Sequence, residues 1–411
     1  MPPTSPSRLK IWTDHLEMLL VGILPSTVQH NMRIELGATL VYGMFYAAGI
    51  SFIPVVLRRM GATENMLAIY VASQFLGSVL ASLSVMLMRR RRTMNVILTS
   101  WYLARASFLL WALIVNPIWM LVLGAFFWTL EPFTGPGYTR ILQLIYPTQV
   151  RGKVMSIVRM GRGLITLLLV PLAGWALDHW GYRTLFPLAA SMGVFSTWIF
   201  SHIKADEGPL SPRQTKAIPE LFEIVRVDRR FSFFLGTFTL FGIGTLLSWT
   251  IYPLVQVDKL HLSYSALGWL EMVSSLFWLV GYFAMGRLVD KHGGVYVLRI
   301  STAVAILIPT TYIFASNGWM LIPAFAAQGF INAGWELGPI NALLQLADPK
   351  RVTEYAAIQS TAIGLRGIII PLVSVGLLHS GVSFSGVFLI SIGFMCLAWW
   401  MFGKVEAKNE R

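Results

Sequence analysis

Five charged residues stand where charge is costly. Arg105, Glu131, Arg162, Glu336 and Arg366 each fall near the middle of a long apolar run, with Arg159 lower in its run and Glu271 nearer the opposite end. A lone charge at the centre of a lipid-facing helix costs about 2.5–3.5 kcal/mol on insertion scales, against a whole-fold margin of about 5–15 kcal/mol. Such residues must pair with one another or face water in an internal cavity. Two kinds of chemistry follow: fixed ion pairs that lock neighbouring helices, or groups that exchange partners, protons or solute. Asn332, with Gln74, Gln143, Asn341 and Gln345, adds hydrogen-bonding capacity inside the runs. Tyr42, Tyr46, Trp128 and Trp335 offer an aromatic wall for a flat or amphipathic solute, and each taken singly also fits ordinary helix packing or lipid contact.

The elements that must position these residues are membrane helices. Of 411 residues, 55% are hydrophobic and 12% charged, about half the charged share of a soluble domain. A span needs about 20 mostly apolar residues to cross the hydrocarbon core. Runs of that kind lie near 34–57, 64–88, 94–115, 117–146, 152–177 and 182–203, then 231–256, 264–289, 295–315, 319–346, 353–378 and 383–403. The fold class is therefore an all-α polytopic membrane protein of about twelve transmembrane helices. Residues 1–33 read as an arm with an interfacial helix over 8–24, since Leu9, Trp12, Leu16, Leu19, Leu20 and Ile23 recur at helical spacing; a disordered arm is the other reading. Residues 34–203 read as a first bundle, 204–230 as a polar linker, 231–403 as a second bundle and 404–411 as a tail. Seven prolines inside the runs (54, 136, 171, 253, 309, 339 and 371) would kink or soften spans.

A net charge of +13 invites a nucleic-acid reading, but such domains gather Lys and Arg on one water-facing surface. Here they sit in short loops, which makes them a topology signal. Of 32 Lys and Arg, Arg58, Arg59, Arg183 and Lys259 fall on one side, Arg105 and Arg366 inside spans, and all others on the side of the N-terminus, where Arg159 and Arg162 are counted with the region 140–162 that opens span five. That asymmetry puts both termini in the cytoplasm. A single cysteine, Cys396, excludes a disulfide framework and a cysteine metal site. No histidine falls in mid-span, and no cleavable signal is visible.

The two bundles repeat. Arg151, Pro171, His179, Gly181, Ser191 and Gly193 recur 200 residues later as Arg351, Pro371, His379, Gly381, Ser391 and Gly393. At a slightly larger offset, Gly135-Pro136, Leu142-Gln143-Leu144 and Pro147 answer Gly338-Pro339, Leu344-Gln345-Leu346 and Pro349. Six spans separate the copies, so both run the same way: two six-helix pseudo-symmetric halves related about the membrane normal.

Residues 286–293 (Gly286-Arg-Leu-Val-Asp290-Lys291-His-Gly293) resemble the loop signature of the major facilitator superfamily, Gly-x-Leu-x-Asp-Arg/Lys-x-Gly followed by two basic residues. Gly294 and Val295 replace the basic pair, and the place after span two holds Met88 and four arginines instead of the signature. Pro147-Thr-Gln-Val-Arg151-Gly152 is also similar to a turn of the family. The resemblance covers roughly 34–403 and implies a secondary transporter working by alternating access. In that architecture spans one, four, seven and ten, helped by two, five, eight and eleven, line the cavity, which implies that Glu131 meets Arg162, with Arg105 on the peripheral third span as competitor, and that Glu336 meets Arg366. Val170-Pro171-Leu-Ala-Gly174-Trp175 keeps only one proline and one glycine of the family's antiporter motif, and span four lacks the Arg-x-x-Gln-Gly element of proton-coupled members. At the signature loop, Gly293 suits a tight turn and Asp290 can accept bonds from the free amides that open a neighbouring helix. The loop then gates, or simply anchors two spans.

The expected function is secondary active transport of a small solute. No Gly-x-x-x-x-Gly-Lys-Ser/Thr loop is present to bind a nucleotide, so the expected source of energy is a concentration gradient or ion coupling, with protons the first candidate. The expected partners are a small-molecule solute, a coupling ion and membrane lipids, with no nucleic acid, metal, cofactor or catalytic residue. The expected place is the cytoplasmic membrane. The other reading is a transporter-like sensor or assembly partner that moves nothing.

Overall fold

The computed structural model describes residues 25–207, 218–348 and 351–407. The expected interfacial helix at 8–24 lies outside them. Among the described residues the chain is helical throughout, with no strand. The first half contains span one (Ser26–Arg59), two (Glu64–Met88), three (Thr93–Ala106, continued by the 3-10 turn Ser107–Ala112), four (Pro117–Ile145), five (Thr148–Trp180) and six (Tyr182–Phe200). A short helix, Ile218–Val227, precedes span seven (Arg229–Lys259). Spans eight and nine are one 51-residue helical stretch, Tyr264–Phe314, divided where Gly293 takes a φ of 84°. Spans ten (Ile322–Leu346), eleven (Val352–His379) and twelve (Phe384–Ala407) complete the second half. The bundle is a polytopic membrane protein of about twelve helices in two similar halves.

Span one begins at Ser26, earlier than the apolar run at 34 indicates. Its first two turns, with Gln29, His30, Asn31 and Arg33, are too polar to read as apolar, yet Val28, Asn31, Met32 and Glu35 are buried against the bundle. Prolines interrupt some spans and not others. Span one breaks at Ile50–Phe52 before Pro54, span four at Thr134 before Pro136, and span seven after Trp249 before Pro253, whereas Pro171 and Pro371 sit inside continuous helices.

The repeat is written into the backbone. Gly181 and Gly381 end spans five and eleven with φ of 72° and 90°. Gly61 has a φ of 90°, and its counterpart His261, at 48°, is the one positive-φ non-glycine among the described residues. Two residues on, Thr63 and Ser263 cap spans two and eight by accepting from the amides of Met66 and Ala266.

Glycines set the closest crossings, as expected where lipid gives helices no hydrophobic reason to associate and backbone proximity decides. Within the second half, a Cβ on Gly329 would come to 2.0 Å from the Ser274 carbonyl oxygen. Between halves, one on Gly268 would come to 2.8 Å from the Val170 carbonyl oxygen, and one on Gly174 to 2.4 Å from that of Tyr264. The two crossings predict different failures. Gly329→Ala overpacks one half and should lose about 1–3 kcal/mol, seen as a lower melting temperature in detergent. Gly268→Ala pushes on the other half and should part the halves, lengthening the distance between spin labels at positions 60 and 260 in a Cys396→Ser background. Equal effects of both variants on melting temperature, with no change in the label distance, would refute the distinction.

Candidate functional site

One end of the bundle is sealed by contacts between the halves. Arg58, at the end of span one, meets Asp258, at the end of span seven, through three N–H···O bonds of 2.6–3.0 Å. The pair joins equivalent positions of the repeat. Asp178, ending span five, accepts from the backbone amides of Tyr264 and Ser265 at 3.0 and 2.8 Å and from the Ser265 hydroxyl, capping span eight from the opposite half. The symmetry-related contact is Glu64, opening span two, with His379, ending span eleven, at 3.4 Å. Arg59 bonds the Leu262 carbonyl and lies 3.8 Å over the Tyr264 ring.

At the other end the halves part. A cavity of about 680 Å³ separates Asp290 from the first turns of span five at Thr148, Gln149, Gly152, Lys153 and Ser156. Asp290 and Lys291 are exposed and make no hydrogen bond or ion pair among the described residues. Gly293, in the left-handed region that an L side chain resists, turns the chain into span nine, and a Cβ there would also strike the Gln345 side chain at 2.6 Å. Gly286 lies on the helix with open space around it.

Between the two ends lies a central cavity of about 480 Å³. Tyr42, Arg105, Glu131, Arg162 and Glu336 line it together, joined by Arg159, Trp101 and Tyr138. Their pairing departs from the one the family resemblance implies. Glu131 takes Arg105, not Arg162, through two bonds of 2.6 and 3.2 Å. Arg105 is 3% exposed, donates also to Thr197 at 3.0 Å and Ser196 at 3.3 Å, and lies 4.5 Å from the Tyr42 and Trp101 rings. It is a fully occupied tie between spans three, four and six.

Glu336 does not meet Arg366. It reaches across to the first half, 3.4 Å from Arg159 and 3.7 Å from Arg162. Arg366 is left on the Phe238 carbonyl, 4.5 Å over the Phe238 ring and 5.6 Å from Trp335, with no carboxylate partner among the described residues. Its guanidinium fills the space beside Gly242, where a Cβ would come to 2.0 Å from Cζ. Trp335 stacks on Phe238 at 5.3 Å and does not line the cavity. Asn332 is exposed and accepts from Gln328 at 2.9 Å, also off the cavity wall. Tyr46 is 36% exposed, within electrostatic reach of Arg162, Glu271 and Glu336.

Glu35 escapes the hydropathy reading altogether. It is 1% exposed in span one, accepting from the Tyr138 hydroxyl at 2.6 Å and the Tyr146 hydroxyl at 2.5 Å. The signal that finds it is helical phase: Val28, Met32, Glu35 and Ala38 share one buried face.

The model of the Major Facilitator Superfamily matches residues 34–257 and 231–411. The chain belongs to the major facilitator superfamily. A solved structure of a mutant of the nucleoside transporter NupG is similar, with a TM-score of 0.71 at 11% identity over 91% of this chain and 99% of that one. A bacterial homolog of the human lysosomal transporter Spinster, in an inward-facing and unoccupied conformation, has a TM-score of 0.62 at 13% identity over 94% and 98% of the two chains. No curated protein sequence matches. At such identities the solved structures speak to fold, and the family membership makes this an integral membrane transporter.

The Arg105–Glu131 tie gives a sharp expectation. Removing one partner of a buried pair costs about 3–5 kcal/mol, because the other charge stays buried alone. Glu131→Gln should therefore lower the melting temperature strongly, and Arg105→Gln added to it should recover part of the loss. A stable single variant would show that Arg105 is held by Ser196 and Thr197 without its carboxylate.

Proposed function

We propose a secondary active transporter that moves a small solute by alternating access, the bundles at 34–203 and 231–403 rocking about the central cavity and a proton gradient supplying the drive. The observation that carries this reading is Glu336: a second-half carboxylate, midway along span ten, held by two first-half arginines inside a cavity sealed at one end. Contacts of 3.4 and 3.7 Å across moving bodies can break without dismantling either half. A proton on Glu336 removes the attraction to Arg159 and Arg162 and frees the halves and both guanidinium groups together. Glu131, tied inside one half, is a poor carrier by comparison.

The distribution of Lys and Arg supports placing the open end in the cytoplasm of a cell membrane, with both termini on that side. Asp290 then acts as the inner latch. When the inner end closes, its carboxylate meets the unpaired amides at the start of span five and the Lys153 ammonium. A helix N-terminus favours such a carboxylate by about 0.3–1 kcal/mol.

Two measurements test the reading in proteoliposomes. Asp290→Asn should slow uptake severalfold at unchanged expression and melting temperature; normal rates would reduce the loop to an anchor. Glu336→Gln mimics the protonated carboxylate, so it should still bind solute while its uptake no longer responds to an imposed pH gradient. Gradient-driven uptake that survives in Glu336→Gln would move the coupling elsewhere, with Glu35 and Glu271 the next carboxylates to change.

A further inference from the structure

We propose that the solute is a small organic monoanion with a flat apolar body, its acidic group docking between Arg159 and Arg162 in the place Glu336 occupies. This rests on the transporter reading above and names its substrate class. The charges of the cavity wall do not balance. Glu131 is engaged by Arg105, which leaves Arg159 and Arg162 facing the single carboxylate of Glu336. That carboxylate holds them loosely, at 3.4 and 3.7 Å, where a full charge-assisted N–H···O bond is about 2.7–2.9 Å. The side chains of Arg159 and Arg162 are 40% and 39% exposed. A guanidinium carries its donors in a planar fork that fits carboxylate or phosphate. Three residues apart on span five, the two arginines project from one face of the helix.

Of the other carboxylates nearby, Glu271 does not line the cavity, and Glu35 reaches Arg159 with its field. Its two oxygens are already taken by Tyr138 and Tyr146, and it is 1% exposed, so it does not compete for the cavity-facing N–H groups. Tyr42, Trp101, Tyr138 and Phe200 give the rest of the wall aromatic faces, with small residues such as Ala38, Thr39 and Ser196 between them. A cation would meet three arginines here, and a neutral solute would leave Arg159 and Arg162 sharing the single contacting carboxylate of Glu336. A volume of about 480 Å³ lies within the range of small-molecule sites.

The test is binding to the purified full-length protein, measured by calorimetry, of three probes of similar shape (benzoate, benzamide and benzylamine), with uridine as a neutral nucleoside. Benzoate should bind, and benzamide should bind at least about tenfold more weakly, since a hydrogen bond to a charged group is worth about 1.5–3 kcal/mol. Arg159→Gln and Arg162→Gln should each weaken benzoate about ten- to a hundredfold, with Lys restoring part. Glu336→Gln, which removes the competitor, should tighten it, and this variant decides the matter if an arginine variant fails to fold. Binding of benzamide, benzylamine or uridine as tight as benzoate overturns the inference. So do unchanged benzoate affinity in folded arginine variants and no benzoate binding at millimolar concentration. Uptake separates the two readings. Benzoate bound but never carried into vesicles sinks the transporter reading and leaves the anion site; uridine carried and benzoate ignored does the reverse.

Discussion

Hydrocarbon offers no water to a charged side chain, so every charge inside this bundle has to be answered from within it. That constraint orders the interior. Arg105 is answered completely, by Glu131 and two hydroxyls, and so fixes spans three, four and six as one body. Glu35 is answered by two tyrosine hydroxyls that tie span one to span four and the turn beyond it. Arg366 is answered poorly, by a carbonyl and aromatic faces. Glu336 is the one whose partners belong to the other half. Rigid halves and a loose join between them follow from where each charge found its partner.

The sealed end is held differently. Its contacts, Arg58–Asp258, Asp178 with the start of span eight, and Glu64–His379, are partly solvated. Exposed pairs contribute about 0–1 kcal/mol each, so no single one can hold the halves shut. What closes this end is their number and the glycine crossing of spans five and eight behind them. A seal assembled from weak, repeated contacts concentrates little energy in any one of them, unlike one deep salt bridge.

The fold was legible in the sequence because hydropathy and the 200-residue repeat depend on many residues at once. Span number and parallel halves come from such patterns, and the tight turn at Gly293 from the loop signature of the family. The pairing of charges was not. Depth along a helix follows from span ends, but the rotation of each helix about its axis does not, and rotation decides whether Glu131 faces span three or span five. Span spacing put Arg105, Glu131, Arg162 and Glu336 at one depth; the structure gives them a common cavity and different partners. Asn332 and Trp335 lie within the turn before Glu336 on span ten, yet Trp335 turns to Phe238 and Asn332 to Gln328, so nearness along the helix does not carry them to the wall. Glu35 was invisible because the first turns of span one are polar and buried by protein, so composition there reports water where the fold supplies tyrosines.

The halves share a backbone and not a site. At the 200-residue offset Arg366 answers Thr166, Arg162 answers Ala362, and Gly242 answers Tyr42. In the first half, Tyr42 presents its ring to Arg105 and to the cavity. In the second half, glycine at the same position lets the Arg366 guanidinium sink into the space a side chain would fill, out of the cavity and against Phe238. The repeat thus has one half with arginines that face the central cavity and another with an arginine folded away from it. A symmetric scaffold suits a rocking motion, and the asymmetry at position 42 against 242 leaves the first half as the one that presents positive charge to whatever enters.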